Sequence, residues 1–331
     1  MAEIVQELVT AFGNYYIKGQ NNMNRLVKKL MQGSETLNLP GIRHINSTET
    51  VYQTANVETT EVIQGYQHGF TPKGDTEFHP NTIILRPMKV DKQLKPDVCW
   101  DNWLGFLSAD NKHPKDWPFV RYVMEELVGA QIENDREMKL AYTGQYQAPT
   151  EGTAGDAVNA MDGFKAILTA AAAADHVYPI HKVADIGVLN ASDIFDQVEA
   201  FEDAIPGFLK KQNMYIFMAP EMATAYFRKL RALGFYDVSS ASGLSDYVDK
   251  TKHLVQGAPC MTGSTDIWAT TPGNILHLTK RSSKNFDMQA FHRDVDVMCD
   301  WFEGLGFTDN DLVFASTNTV GWKTDGSAVE E

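Results

Sequence analysis

Apolar residues recur at helical spacing most clearly over residues 116–142. Positions three or four residues apart share one face of an α-helix, and the apolar positions here are Phe119, Val120, Val123, Met124, Leu127, Val128 and Ile132. Asp116 is a suitable N-cap, and Pro118 is compatible with the first turn. The sequence becomes polar after Ile132, so we expect the first half of this helix to pack on a core and the second half to be largely exposed.

Three shorter helices are predicted at 157–175, 192–205 and 221–233. Ser192 would cap the second helix, and a proline would begin the third. Between these two helices, the apolar run at 214–218 is typical of a buried strand. A helix–strand–helix order of this kind indicates a compact mixed α/β subdomain.

A long hairpin is predicted in the first third of the chain. Segments near 51–63 and 82–90 are rich in β-branched residues, and they flank a stretch at 65–80 that contains several glycines and prolines. A lone two-stranded hairpin is only marginally stable in water. We therefore expect this hairpin to project from the chain and to dock on another subunit.

The last quarter of the chain predicts strands. The segments 267–271 and 275–279 flank a Pro-Gly-Asn turn, and 312–315 is a final short strand. Apolar and polar residues alternate over 288–302, which predicts one long strand. A Gly-Leu-Gly turn would end this strand. Its two faces separate Phe291, Val295, Val297, Cys299 and Trp301 from Ala290, His292, Asp294, Asp296 and Asp300.

The N-terminal segment 3–31 predicts a helix that is broken between residues 13 and 24. One broken helix cannot form its own core. We expect this segment to lie on its own domain or on a neighbouring subunit.

Composition excludes several classes of function. The net charge is −14 and no cluster of Lys and Arg stands out, so tight DNA binding is not expected. The three cysteines are far apart, which argues against disulfides and a zinc site and favours buried thiols. The start of the sequence does not look like a signal peptide, and the longest apolar stretch is too short for a membrane span.

The sequence contains no convincing catalytic or ligand-binding motif. A phosphate-binding loop, a dinucleotide fingerprint and a nucleophile elbow are all missing, and the His-Arg-Asp tripeptide at 292–294 lacks the rest of the kinase set. Asp294 and Asp296 could bind a hard cation or act as an acid–base pair. Alternation alone explains them as a solvated polar face or as partners of Lys and Arg in another subunit, and we prefer that reading.

Two other groups of residues have structural interpretations. The histidines show no metal spacing. Trp100, Trp103 and Trp117 could form a ligand platform, but such clusters more often fill a core or an interface. We therefore predict no catalytic residue, no cofactor and no metal.

The order of these elements resembles the Hong Kong 97-like major capsid proteins of tailed bacteriophages, a fold shared with herpesvirus floor domains and with encapsulins. Three segments also resemble that family in amino-acid sequence: MYIFMAPEMATAYFRKLRALG (214–234), HLVQGAPCMTGSTDIWATTPGNILHL (253–278) and MQAFHRDVDVMCDWFEGLGFTDNDLVF (288–314). The resemblance covers nearly the whole chain.

The resemblance implies an α+β fold with six parts. These are an N-terminal arm (1–43), an extended β-hairpin loop (44–98), a peripheral domain (99–179) that contains a spine helix (116–142), an axial α/β domain (180–262), peripheral strands (263–316) and a C-terminal tail (317–331).

The implied function is a major capsid protein that assembles into pentamers and hexamers of an icosahedral phage head around double-stranded DNA. No enzymatic activity is implied. We expect subunit contacts at Tyr66, His68, Phe70, Pro72 and Lys73, and at Asp294 and Asp296. Two alternatives stay open: an encapsulin-type nanocompartment shell protein, and an unrelated phage structural protein or soluble enzyme.

The implied partners are further copies of the chain, a separate scaffolding protein, a portal and possible decoration proteins. DNA would be enclosed without strong specific binding, and no membrane is involved. The expected location is the virion, after assembly in the host bacterial cytoplasm.

Overall fold

The computed structural model describes residues 2–17, 22, 26, 35–109, 113, 118–173, 176–183, 186–232, 247–248, 251–280 and 285–320. Within them, helices pack on two five-stranded sheets, and a two-stranded hairpin pairs with neither sheet. The predicted α+β class is confirmed. None of the described helices combines the length and the apolar composition that a bilayer span needs.

The predicted helices appear in the predicted order, together with one helix that the sequence pattern did not predict, Pro96–Ala109. They are α1 (Ala2–Phe12, extended by a π-turn at Gly13–Ile17), α2 (Pro96–Ala109), α3 (consecutive segments Phe119–Tyr122, Val123–Gly129, Ala130–Asp135 and Arg136–Leu140), α4 (Phe164–Ala171), α5 (Ile194–Asp203) and α6 (Pro220–Ala232). At about 1.5 Å per residue, α3 is a rod of roughly 33 Å.

The first sheet has the strand order β1-β9-β11-β10, with β4 on the other edge of β11. Its strands are β1 (Ile42–Ser47), β4 (Arg86–Leu94), β9 (Ile275–Lys280), β10 (Asn285–Phe291) and β11 (Asp294–Phe307). β1 is parallel to β9 and the other pairs are antiparallel. Because β1 pairs with β9 alone among the described strands, it is an edge of this sheet.

The second sheet has the order β5-β12-β8-β6-β7. Its strands are β5 (His181–Val183), β6 (Met214–Met218), β7 (His253–Gly257), β8 (Ile267–Thr270) and β12 (Val313–Ser316). Both faces are buried: Phe217 and Trp268 join the main core, whereas Ile216 and Ile267 join a second core with α5 and α6. The predicted strand at 214–218 and the helix start at Pro220 are confirmed.

The Pro-Gly-Asn turn transfers the chain from one sheet to the other. Gly273 has a left-handed φ of +82°. Asn274 is buried, and its side chain donates to Thr270 Oγ1 (2.9 Å) and to the Asp309 carbonyl (2.7 Å). The strands on either side of this turn therefore belong to different sheets.

The prediction of one long strand at 288–302 is wrong. The chain forms a hairpin there, since β10 ends at Phe291 and β11 begins at Asp294. The turn contains no glycine, and His292 adopts a φ of +56° instead. Within β11 the predicted faces hold, because Val295, Val297, Cys299 and Trp301 are all buried.

The turn predicted at 304–306 is also wrong, because β11 runs through these residues to Phe307. Glycine is needed here for close approach. A Cβ on Gly304 would lie 2.9 Å from the Ile84 carbonyl oxygen, and one on Gly306 would lie 2.5 Å from Ile83 Cγ1.

The N-terminal helix packs on its own chain. Leu8, Phe12 and Tyr16 are buried in the main core, and α1 lies against β10, β11 and the start of α3. The helix predicted for 3–31, with a break between residues 13 and 24, continues as a π-turn through Gly13–Ile17, and most of 18–34 lies outside the described residues.

Other helix boundaries differ from the prediction. α4 covers only part of 157–175. The start of α5 is organised by the Asn190 side chain, which accepts from the backbone N–H of Ser192 and Asp193, rather than by a Ser192 cap. Asp116 and Trp117 lie outside the described residues.

The second half of α3 is less exposed than the polar sequence suggested. Arg136 is buried and forms an ion pair with the buried Glu303 on β11, with Nε 3.1 Å from Oε1. Glu303 also accepts from Trp301 Nε1 (2.8 Å) and contacts His277 Nε2 (2.7 Å). Burial would raise the pKa of Glu303, but the charge of Arg136 and the hydrogen bonds outweigh it and lower this pKa to about 2.

Candidate functional site

The two-stranded hairpin is the main candidate for an interaction surface. It pairs β2 (Val51–Thr59) with β3 (Thr76–Ile84), from Val51 opposite Ile84 to Thr59 opposite Thr76. Neither strand pairs with either sheet. At about 3.4 Å per residue, the hairpin strands extend roughly 30 Å.

The predicted second strand of the hairpin was placed too late in the sequence. Pro80 was read as part of a turn, but it lies within β3, opposite Ala55. Proline is tolerated on a strand with a free edge because that edge needs no N–H donor. The chain leaves the hairpin at Leu85 and enters the first sheet as β4.

The hairpin tip, residues 60–75, presents apolar side chains to solvent. Tyr66 is 96% exposed, Phe70 94%, Ile63 81% and Val62 57%. His68, Pro72 and Lys73 are exposed on the same segment. Concentrated apolar exposure of this kind marks an interaction site or an aggregation liability.

The tip is folded by its own hydrogen bonds. Gln64 Nε2 donates to the Thr71 carbonyl (2.8 Å), and Lys73 Nζ donates to the Ile63 carbonyl (2.7 Å) and lies 3.1 Å from Glu61 Oε2. Gly74 has a φ of +95°, and a Cβ there would lie 2.7 Å from Val62. The exposed aromatic residues are therefore displayed by an ordered loop.

The hairpin root, residues 51–56 and 79–84, is held by polar contacts that the sequence did not predict. Asn56 Nδ2 donates to Asp309 Oδ1 (3.1 Å) and to the Tyr178 hydroxyl (2.5 Å), and Asn81 Nδ2 donates to the Phe307 carbonyl (2.8 Å). The ring of His79 stacks on Tyr178 at 4.9 Å. Burial, reinforced by the charge of Asp309, raises the pKa of Tyr178 to about 12. This phenol therefore stays protonated and available for hydrogen bonding.

Asp294 and Asp296 lie on a different surface from the hairpin tip. They occupy the outward face of β11 together with Asp300, and the register adds Asp91 of β4 and Asp287 of β10 beside Met298. Lys89 pairs with Asp91 at 2.7 Å. The five predicted tip residues are thus brought together, whereas the two predicted aspartates belong to an acidic sheet face.

Nothing in the described part of the chain forms a metal site of three or more His, Cys, Asp or Glu side chains. The three cysteines are free and buried, as expected. Burial raises the pKa of both Cys260 and Cys299 to about 12, which keeps these thiols protonated and unreactive. Trp103 is buried beside Phe119, whereas Trp100 is 41% exposed.

No protein-family model and no curated protein matches the sequence. Solved structures do match. A chain of the satellite phage P4 procapsid, a particle that includes the size determination protein, is 9% identical with a TM-score of 0.55, covering 89% of this chain and 90% of that chain.

Two further structures are similar at lower scores. A capsid chain of a native GTA particle is 15% identical with a TM-score of 0.46, covering 85% of this chain and 89% of that one. The SrpI encapsulin of Synechococcus elongatus PCC 7942 is 10% identical with a TM-score of 0.45, covering 89% and 88%. The fold assignment rests on the P4 procapsid match and on the element order described above. This chain therefore has the Hong Kong 97-like capsid fold.

Proposed function

We propose that this chain is a major capsid protein, a structural shell subunit and not an enzyme. One observation carries the proposal: a hairpin roughly 30 Å long ends in a folded tip whose aromatic side chains are almost fully exposed. A second copy of the chain is the partner that this surface fits, because the fold is that of a shell subunit.

The energetics favour a covered tip. Tyr66 and Phe70 are 96% and 94% exposed, and aromatic side chains bury about 150–250 Å² each. At about 25 cal/mol per Å², covering both would contribute on the order of 10 kcal/mol before the costs of association. A contact of this size, repeated around a closed symmetric ring, would stabilise a finite shell.

The complete proposal follows the resemblance of the sequence. Copies form pentamers and hexamers that close as an icosahedral head around double-stranded DNA. A separate scaffolding protein, a portal and decoration proteins would act with it, in a virion assembled in the bacterial cytoplasm. The domain divisions at 43, 98, 179, 262 and 316 belong to the same proposal, as does the role of Asp294 and Asp296 as contacts to Lys or Arg of a neighbour.

The hairpin tip provides the test. The full chain is expressed and examined by size-exclusion chromatography and electron microscopy, beside the double variant Tyr66→Ser/Phe70→Ser. We expect rings or shells for the unchanged chain and smaller species for the variant. The matched control is Val188→Ser, which removes an apolar side chain that is 56% exposed outside the hairpin, and it should assemble normally.

A monodisperse monomer for the unchanged chain under all conditions would contradict the proposal. Normal shells from the tip variant would contradict the role of the tip. The contents of the particles separate the alternatives: DNA in infected cells supports a phage head, and a co-purifying enzyme supports a nanocompartment. Loss of a measurable activity in Asp294→Ala/Asp296→Ala, with assembly unchanged, would support the enzyme alternative.

A further inference from the structure

Two histidines join the edge strand β1 to the buried centre of the first sheet. His44 on β1 lies directly opposite His277 on β9, and their Nδ1 atoms are 2.8 Å apart. His277 Nε2 lies 2.7 Å from Glu303, which is ion-paired with Arg136 of α3. The contacts therefore run in a line from the surface to the long helix.

The number of hydrogens in this line can be counted. The Glu303 carboxylate only accepts, so His277 Nε2 must donate to it. The carbonyl of Leu37, which forms a hydrogen bond with His44, also only accepts. The contact between the two Nδ1 atoms needs one hydrogen as well. Three hydrogens are therefore required among the four ring nitrogens.

Two neutral rings carry two hydrogens, and two imidazolium rings carry four. Two hydrogens leave one contact without a donor. Four hydrogens place two N–H groups head to head at 2.8 Å. Only the pair with three hydrogens, and hence one positive charge, satisfies every contact.

We propose that His44 and His277 form an acid-sensitive attachment that holds β1 on the first sheet with one shared proton and releases it when a second proton binds. The nearby ionisable groups act on His44 in the direction that release by acid requires. Burial and the charge of His277 lower the pKa of His44, while the Leu37 carbonyl and Glu303 act in the opposite direction. Two charged groups act on His44, His277 of β9 and Glu303 of β11, and Arg136 of α3 lies behind Glu303.

The expected pH range follows from this direction. Because the folded pKa of His44 lies below its ordinary value of 6.5, the stability that depends on His44 not taking up the second proton is present above pH 6.5. It is lost as the pH falls through the folded pKa. β1 precedes the hairpin strand β2, so its release would loosen the start of the hairpin. That consequence for assembly rests on the proposed function, whereas the release of β1 itself does not.

Hydrogen–deuterium exchange of the full chain tests the inference. Exchange of residues 42–47 is compared at pH 7.5 and pH 5.0 after correction for the intrinsic rate. We expect at least a tenfold increase in opening at pH 5.0 for the unchanged chain, and none for the strand Met214–Met218. In His44→Gln the acid response of 42–47 should disappear.

The matched control is His181→Gln, which alters a surface histidine paired with Asp311 at 2.8 Å and should keep the acid response of 42–47. The absence of acid-induced opening in the unchanged chain would refute the inference without any variant. An unchanged response in folded His44→Gln would refute it too. Neither result depends on shell formation, so failure here is distinct from failure of the capsid proposal.

Discussion

Replacing Arg136 with Met would leave the carboxylate of Glu303 buried without its cation. The pKa of Glu303 is lowered from 4.5 to about 2 by its partners. At about 1.4 kcal/mol per pKa unit, the native contacts favour the charged carboxylate by on the order of 3 kcal/mol. Removing one partner of a buried ion pair costs about 3–5 kcal/mol in other proteins. We expect Arg136→Met to lose a similar amount at pH 7.

The measurement is urea unfolding followed by tryptophan fluorescence, with each variant compared with the unchanged chain at the same pH. The matched control on the same helix is Lys139→Met, whose partner Asp135 lies 2.9 Å away at the surface and whose loss should cost less than about 1 kcal/mol. The deficit of Arg136→Met should shrink near pH 4, since Glu303 without its cation takes up a proton more readily.

In the unchanged chain, the contribution of Glu303 to stability decreases as the pH falls. A lowered carboxyl pKa contributes stability that is present above pH 4.5 and is lost as the pH falls towards 2. A deficit of Arg136→Met below about 1 kcal/mol at pH 7 would refute the reasoning. So would a deficit that is equal at pH 7 and pH 4, because the cost would then come from packing and not from charge.

Three further predictions follow from single sites. Gly306→Ala should destabilise the chain by about 1–3 kcal/mol in urea unfolding, because its Cβ would overlap Ile83, whereas Gly105→Ala on α2 meets no neighbour within 4 Å and should be neutral or stabilising. Trp268→Ala should cost about 3–5 kcal/mol by the same assay, since the ring is buried between the sheets. Cys299 should resist alkylation in the native chain and react after unfolding, as mass spectrometry of trypsin peptides would show, because burial raises its pKa to about 12.

Hydrophobic periodicity predicted the elements whose burial is one-sided or complete. The strand Met214–Met218 and the helix that begins at Pro220 lie where the pattern placed them. The pattern also predicted the faces of β11, since alternation depends only on the local pleat. The order of these elements along the chain, rather than any single residue, predicted the fold class.

Features that depend on distant contacts were not predictable. Gly304 and Gly306 looked like a turn, but they are needed because β3 crosses close to β11. Arg136 looked like a surface residue, because nothing local reveals Glu303 across the fold. The turn at His292 lacks the usual glycine, so two strands read as one. In the candidate site, the exposed tip was predicted, whereas the root contacts of Asn56 were not.

The two ways in which the hairpin is attached determine how it can move. Its root is held by side-chain hydrogen bonds, each contributing about 0.5–1.5 kcal/mol, and by a small apolar cluster that joins Ile83 to Leu276 and Leu278, rather than by pairing with a sheet. The strand before it, β1, is held at one edge and by the histidine pair. Both attachments are therefore weaker than the two cores that bury Trp268 and Phe201. Under the proposed function, identical chains in pentamers and hexamers would contact their neighbours at different angles, and the hairpin would adjust to them through these weaker attachments.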